Sequence, residues 1–213
     1  MLFMPLIATN LVNKPSSTTE KGLGRALDIL HAARLLLAAD GYAGLSMRRV
    51  AAEAGISLSN VQHYYQSKDA LLEALLLYTM DLFQQKIDSI SAAMTSASRI
   101  DRFLSTCDMF IEELSDPVTH AIFFELRAMA SRNAFASKLM DKMLTRERKT
   151  IFNLIRGLDS AISEEQYMQR AMLIVAQIEG LMLFRLNKTE RPEQFVAVSS
   201  AVRQALATLA TAA

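Results

Sequence analysis

Hydrophobic residues recur three and four positions apart from Leu23 onward, which is the spacing of one face of an α-helix. Gly41 follows the first of these segments and can adopt the left-handed conformation that ends many helices. There is no strand-like alternation and no internal repeat. The pattern therefore predicts an all-α fold. The apolar stripe of the first helix consists of Leu23, Ala26, Leu27, Leu30, Ala33 and Leu37.

Capping residues predict where the other helices begin. Ser46 is a predicted N-cap for a short helix that ends at Ala54, and a second short helix follows at about 58–65. Ser67 is a predicted N-cap for a long helix over 68–90, and the small, polar stretch 91–98 predicts a boundary or hinge. Asp116-Pro117 and the Ser163–Gln166 capping box mark further starts. Later helices are predicted at about 99–115, 117–131, 138–157, 163–187 and 192–210.

Composition sets the class of protein. The 213 residues are 51% hydrophobic, which is enough for one domain or for a small domain joined to a larger one. The net charge of +1 excludes a highly charged disordered chain and a uniformly basic histone-like protein. The one cysteine forms no internal disulfide and no Cys-type zinc site, so a reducing cytoplasm is expected. No apolar stretch approaches the roughly 18 residues of a membrane-spanning helix.

The first 19 residues combine a short apolar run with Pro15 and a Ser/Thr cluster. A secretory signal has basic residues before its apolar run, and this segment has none. We therefore interpret residues 1–19 as a flexible arm rather than as a signal peptide.

The spacing of small and apolar residues in 47–72 is that of a helix-turn-helix. Ala51 lets two short helices approach closely, and Gly55 tolerates positive φ in the turn. The predicted core beneath consists of Val50, Ala54, Val61 and Tyr65. In this motif the second helix enters the major groove of DNA. On spacing alone, a helical hairpin without a function remains open.

The polarity of the second helix favours DNA binding. It carries hydrogen-bonding side chains that suit base edges, and it has no acidic residue to repel phosphate. Residues 1–68 hold seven basic and four acidic side chains, a net charge of +3, which leaves −2 for the remainder. The polar set is Ser59, Asn60, Gln62 and His63.

At this point the sequence resembles a known family, the TetR-type transcriptional regulators. The resemblance covers about fifty positions, from the first helix to the start of the long one, and its marks agree in spacing and residue type. They are Ala39-Asp40-Gly41-Tyr42, Ser46-Met47-x-x-Val50-Ala51, Ala54-Gly55-Ile56-Ser57 and Tyr64-Tyr65-x-Ser67-Lys68-Asp69-x-Leu71.

The resemblance implies a role for each position of the motif. The family usually has Tyr in place of Gln62 and often a small residue in place of Ser59, so Gln62 is expected to read a base instead of a phosphate. Local packing is the alternative for Tyr64 and is favoured for Tyr65. Expected base contacts are Leu58, Ser59, Asn60, Gln62 and His63, with Arg48 at the groove edge, and expected phosphate contacts are Ser46, Tyr64 and Lys68.

The resemblance also implies an effector cavity in the helical body. Core packing is the alternative for each apolar member, and Cys107 is interpreted as a buried filler. For Arg127, a structural salt bridge to Glu125 or Glu113 is favoured over pairing with a ligand carboxylate. The candidate residues are Phe103, Cys107, Phe110, Phe123, Phe124, Arg127, Met140, Met143 and Phe152.

The last two helices are more apolar than the surface helices of a monomer, which predicts a homodimer through a four-helix interface. The alternative is that these helices close the core of the monomer. The predicted interface residues are Ile174, Ile178, Leu181, Phe184, Phe195, Val198, Val202 and Leu206.

Together these features predict a three-helix DNA-binding head with a helix-turn-helix (20–67) and a larger helical ligand-binding and dimerisation body (68–213). The expected function is that of a cytoplasmic repressor, released from a palindromic operator by a small apolar or amphipathic ligand. A DNA-organising protein without a ligand switch and an all-α carrier of apolar molecules are the alternatives. The three histidines show no metal-ligand spacing and no nucleophile motif occurs, so neither an enzyme nor a cofactor is expected.

Overall fold

The computed structural model describes residues 20–184 and 191–211. All of its regular structure is helical, and no strand occurs in these two ranges, so the predicted all-α fold is confirmed. The predicted arm, 1–19, lies outside the described residues. The helices are α1 (Glu20–Gly44), α2 (Met47–Glu53), α3 (Leu58–Tyr64), α4 (Lys68–Ala93), α5 (Arg99–Leu114), α6 (Pro117–Ala130), α7 (Ala134–Ile155), α8 (Glu164–Leu181) and α9 (Pro192–Thr211).

Most predicted helix starts are confirmed because they depend on local hydrogen bonds. The side chain of Ser98 accepts from the third residue after it, and Asp116 does the same ahead of Pro117. Ser163 and Gln166 form the predicted capping box.

Two predicted boundaries were wrong. Helix α7 begins at Ala134 instead of 138, because the side chain of Asn133 accepts hydrogen bonds from the backbone of Phe135 and Ala136. Helix α8 ends at Leu181 and continues only as a 3₁₀ turn, Met182–Phe184, so the apolar run had suggested too long a helix. The remainder of the predicted segment lies outside the described residues.

Contacts between Cα atoms divide the chain into two compact units. The first comprises the described residues up to Gln85 together with Ala121–Glu125, and the second comprises Lys86–His120 with the described residues from Leu126 onward. The division therefore falls inside α4 and interrupts α6. The sequence-based division into a DNA-binding head (20–67) and a ligand-binding and dimerisation body (68–213) is a division by function, and it stays a prediction.

In the first unit, α1 packs against α2 and α2 against α3. The buried face of α1 includes Ile29 and Leu36, which the predicted stripe left out. Leu23 and Leu27, which the predicted stripe included, are only half-buried. In the second unit, α5 packs on α7 and α8, α7 on α8, and α9 on α5 and α8.

No described helix has the length and the apolar character that crossing a membrane requires.

Candidate nucleic-acid interface

Two capped short helices form the helix-turn-helix. The Ser46 Oγ accepts from the backbone N–H of Arg49 (3.3 Å), and the Ser57 Oγ accepts from that of Asn60 (3.2 Å). Between the helices Gly55 has φ 64°, a value that favours glycine, and the N–H of Ile56 donates to the carbonyl of Ala51 (2.9 Å). The predicted Ser46 cap and the predicted turn glycine are confirmed.

Three of the four predicted core residues beneath the motif are buried. Val50, Val61 and Tyr65 are buried, and Ala51 lies where α2 approaches its neighbours, while Ala54 is only half-buried. The Tyr65 hydroxyl donates to the carbonyl of Ala26 (3.4 Å), and burial raises the pKa of this phenol. Tyr65 therefore has the packing role that was favoured for it.

The polar face of α3 is directed to solvent. Ser59, Gln62 and His63 are exposed, whereas Leu58, Asn60 and Tyr64 are half-buried. The ring of His63 meets the ring of Tyr64 edge-on, with centroids 5.4 Å apart. The helix thus presents hydrogen-bond donors and acceptors to solvent, as direct reading of base edges requires. Their contacts with bases stay a prediction.

The two neighbouring arginines of α2 have different surroundings. Arg49 binds Asp40 at 2.5 Å and donates to the carbonyl of Gly44 at 2.8 Å, which fastens α2 to the end of α1. Arg48 is exposed. Of the pair, Arg48 is the one whose position suits the groove-edge contact expected for it, and Ser46 combines its expected phosphate contact with capping.

Lys68 lies at the first residue of α4, close to the end of α1. Its Nζ donates to the backbone carbonyl of Tyr42 and lies 3.7 Å from the centroid of the Tyr42 ring. Burial lowers the pKa of the Lys68 ammonium, while the nearby charges of Asp69 and Glu125 act in the opposite sense.

Tyr42 was one of the resemblance marks, but sequence reasoning gave it no role. Its N–H donates to Oε1 of Glu125 (2.7 Å) and its hydroxyl donates to Asp69. Desolvation, the hydrogen bond to Asp69 and its charge raise the pKa of Tyr42 to about 12. The preceding Gly41 has φ 64° and ψ −175°, which interrupts α1 at the predicted position.

The residues predicted to line an effector cavity belong to both units. Phe123 and Phe124 belong to the first unit, where Phe123 stacks on Phe83 with centroids 6.4 Å apart. The others belong to the second unit, where Cys107 is buried and its thiol pKa is raised by burial. Phe103, Phe110 and Met143 are also buried, and Phe124, Arg127, Met140 and Phe152 are half-buried.

The structural partner expected for Arg127 was wrong. Glu125 accepts from Tyr42, and Glu113 pairs with Lys86. Arg127 instead forms an ion pair with Glu179 and approaches Sδ of Met182 at 3.5 Å. Glu179 lies more than fifty positions away in α8, so spacing along the sequence gave no indication of this pair.

A second carboxylate stands near the same guanidinium. Burial raises the pKa of Glu147 to about 7, although the charge of Arg127 acts in the opposite sense. Burial in turn lowers the pKa of Arg127, which the charge of Glu147 partly offsets. Arg127 already has Glu179 as an ion-pair partner, an unfavourable setting for an additional ligand carboxylate.

Helix α8 is apolar on two different sides. Ile174 and Ile178 are buried within the second unit, as are Val202 and Leu206 of α9, so these four side chains close its own core. Of the other predicted interface residues, Leu181, Phe195 and Val198 are half-buried and Phe184 is 75% exposed. The structure also exposes apolar side chains that had not been predicted: Met168, Met172, Leu173, Leu183 and Val196.

The helix-turn-helix segment matches known regulators. Residues 29–75 match the bacterial regulatory proteins of the tetR family. A helix-turn-helix regulator from the dhlA 5′ region of Xanthobacter autotrophicus is 53% identical over 62 residues, which are 29% of this chain and 27% of that protein. The regulator BetI of Paraburkholderia xenovorans LB400 is 28% identical over 166 residues, 75% of this chain and 80% of BetI.

Solved structures share the whole fold. The fatty acid degradation regulator FadR of Bacillus halodurans aligns with a TM-score of 0.72 at 16% identity, over 90% of this chain and 97% of that one. A TetR transcription regulator of Haloarcula marismortui aligns with a TM-score of 0.67 at 21% identity, over 88% and 97%. Bacillus subtilis FadR, solved in complex with stearoyl-CoA, gives 0.68 at 16% identity, over 85% and 97%. The predicted resemblance is confirmed.

Proposed function

We propose that this chain, whose residues 29–75 match the bacterial regulatory proteins of the tetR family, is a homodimeric repressor that leaves a palindromic operator when a small ligand binds. The observation that carries the DNA-binding part is the exposed face of α3. It lies on a capped helix-turn-helix and presents Ser59, Gln62 and His63 without any acidic side chain.

The proposed dimer uses the outer apolar surface, which we define as Met168, Met172, Leu173, Leu183, Phe184 and Val196. Each of these side chains is at least 51% exposed, and all belong to α8, to the 3₁₀ turn that follows it, or to the start of α9. Clusters of exposed apolar side chains on one part of a monomer commonly mark interfaces. A two-fold axis would place two α3 helices in successive major grooves, so the operator is expected to be palindromic.

The effector is proposed to bind in the helical body. Support comes from the Met and Phe side chains of α5 and α7, since thioethers and aromatic rings adapt to apolar ligands. B. subtilis FadR, a protein of the same fold, was solved with an amphipathic acyl-CoA. A ligand lowers DNA affinity only if it prefers a conformation in which the two heads no longer fit the operator.

In the proposed function, the protein binds DNA and does not catalyse a reaction. The matched relatives are described as regulators, and in this proposal the site of action is the cytoplasm, where the DNA is accessible.

Selection of bound sequences from a random duplex pool, followed by mobility-shift assays with a metabolite extract, tests the proposal. We expect a palindromic consensus and release by part of the extract. Binding that no metabolite changes would favour a DNA-organising protein, and the absence of any shift would favour an apolar carrier.

Two substitutions in α3 test base reading. Asn60→Ala and Gln62→Ala should each weaken the free energy of DNA binding by about 1–3 kcal/mol and relax the sequence preference at one base pair per half-site.

The effector site has a separate test. Phe110→Trp enlarges a buried side chain of α5, so it should change the response to the metabolite extract while binding without extract stays close to that of the wild type. Equal responses of the variant and the wild type would argue against a site that includes Phe110.

A further inference from the structure

Tyr42 lies directly against Lys68. Lys68 is a predicted phosphate contact, whereas Tyr42 is not among the predicted DNA contacts. The Lys68 ammonium donates to the Tyr42 carbonyl, and the ring of the same residue lies 3.7 Å from Nζ. A carbonyl and an aromatic face from one residue therefore hold the ammonium from two directions.

Tyr42 is itself held in place at two points. Oε1 of Glu125 accepts from its backbone N–H at 2.7 Å, and Asp69 accepts from its hydroxyl. The bend at Gly41 (φ 64°) brings the Tyr42 backbone to Glu125. With both its backbone and its ring tip fixed, Tyr42 is a rigid support for a flexible lysine.

This geometry leaves the ammonium able to bind an anion. A lysine ammonium has three N–H donors, of which the Tyr42 carbonyl uses one, and Lys68 remains partly exposed. Lysine loses much rotamer freedom when it is fixed, so a side chain that is already held loses less when it contacts a phosphate. The first turn of α4 adds the positive end of a helix dipole at the same place.

We propose that Tyr42 is a positioning residue for Lys68, holding its ammonium where a DNA phosphate binds, and that Glu125 supports this role by anchoring the Tyr42 backbone. The inference rests on the proposed DNA-binding function.

A double-mutant cycle on the full chain tests it, with a pool of random-sequence duplexes as the probe and anisotropy measured over a salt series. Lys68→Ala should lower the slope of log K against log salt by about 0.9 per subunit and weaken binding on the order of ten-fold per subunit at about 0.1 M salt. Tyr42→Leu should give part or all of the same two losses, and the double variant should bind no more weakly than Lys68→Ala alone. Tyr42→Phe keeps the aromatic face and should keep the wild-type slope.

A merely structural Tyr42 would give different results. The loss of DNA affinity in Tyr42→Leu would then add to the loss in Lys68→Ala, or Tyr42→Leu would weaken binding while the slope of log K against log salt stayed unchanged. Either result overturns the inference. Thermal unfolding of each variant identifies those that are folded. If Tyr42→Leu does not fold, Glu125→Ala takes its place in the cycle, with Glu125→Gln, which keeps an acceptor oxygen, as its control.

The premise fails separately from the inference. A wild-type chain that binds no duplex refutes the proposed function and the inference with it. A wild type that binds and depends on Lys68, but whose Tyr42 and Glu125 variants behave additively, refutes the inference alone.

Discussion

At the scale of single residues, neighbours in the sequence have separate tasks. Arg48 and Arg49 are adjacent in α2, yet only Arg49 binds Asp40 and the carbonyl of Gly44. A helix turns about 100° per residue, so adjacent side chains face different surroundings. One arginine can therefore stabilise the head while the other meets DNA.

This difference predicts that the two alanine substitutions affect different properties, stability for Arg49 and DNA binding for Arg48. Arg49→Ala should lower the free energy of unfolding by about 0.5–1 kcal/mol, because its ion pair is half-exposed and worth little more. Arg48→Ala should leave stability within about 0.5 kcal/mol and weaken DNA binding. Denaturant unfolding and anisotropy on the same preparations check both. Equal effects of the two substitutions on binding would contradict the assignment.

The Glu147 carboxyl predicts a pH dependence. Its pKa is raised from 4.5 to about 7 in the folded chain, so the folded state binds a proton that the unfolded state has released between these values. The contribution to stability is therefore present below about pH 4.5 and is lost as pH rises through about 7. Glu147→Gln should remove this loss.

The measurement compares wild type and Glu147→Gln by urea unfolding at several pH values. Between about pH 5 and about pH 8 the variant should gain about 1–3 kcal/mol relative to the wild type. A constant difference between Glu147→Gln and the wild type at all pH values would show that Glu147 does not titrate in this range.

At the scale of the helices, caps and bends set where each element ends. Serine caps start α2, α3 and α5, and Asn133 starts α7 earlier than hydrophobic periodicity suggests. The bend at Gly41 is different in kind, because it ends the regular part of α1 and also brings Tyr42 to Glu125.

Gly41→Ala should therefore be costly. An alanine at this position would have to adopt positive φ, and its Cβ would lie 3.1 Å from the Glu125 carboxyl group. We therefore expect a loss of about 1–3 kcal/mol in the free energy of unfolding. Gly24→Ala is the control within the same helix, since nothing lies within 4 Å of the place that its new methyl group would take, and it should stabilise by about 0.5–1 kcal/mol. A Gly41→Ala variant as stable as the wild type would exclude strain at the bend.

At the scale of the whole molecule, the outer apolar surface predicts self-association. Met172→Glu places a charge in the proposed interface, and a two-fold axis doubles the change. Two buried methionines at about 1.5 kcal/mol each correspond to about a 100-fold rise in the dimer dissociation constant. Asn153→Glu adds the same charge to an exposed site of α7 and should leave association unchanged. Sedimentation equilibrium measures both, and a dimer that tolerates Met172→Glu would remove this surface from the interface.

The sequence by itself determined the elements and the motif, because their signals are local. Helix periodicity, the serine caps and the Gly55 turn depend on residues within about four positions of one another, so each is visible in a short stretch of sequence. The spacing Ala51, Gly55, Val61 located the helix-turn-helix for the same reason, and the resemblance extended it to the family.

Only the tertiary structure decided how distant residues pair. Lys68 meets Tyr42, Arg127 meets Glu179, and α8 turns Ile174 inward while Met172 faces out. An apolar residue in a helix with two apolar sides carries no local mark of the side that the core will cover. A charged residue likewise has many possible partners of opposite charge. Packing of whole helices selects among these alternatives, since burial and pairing energies depend on contacts that form only once the chain has folded.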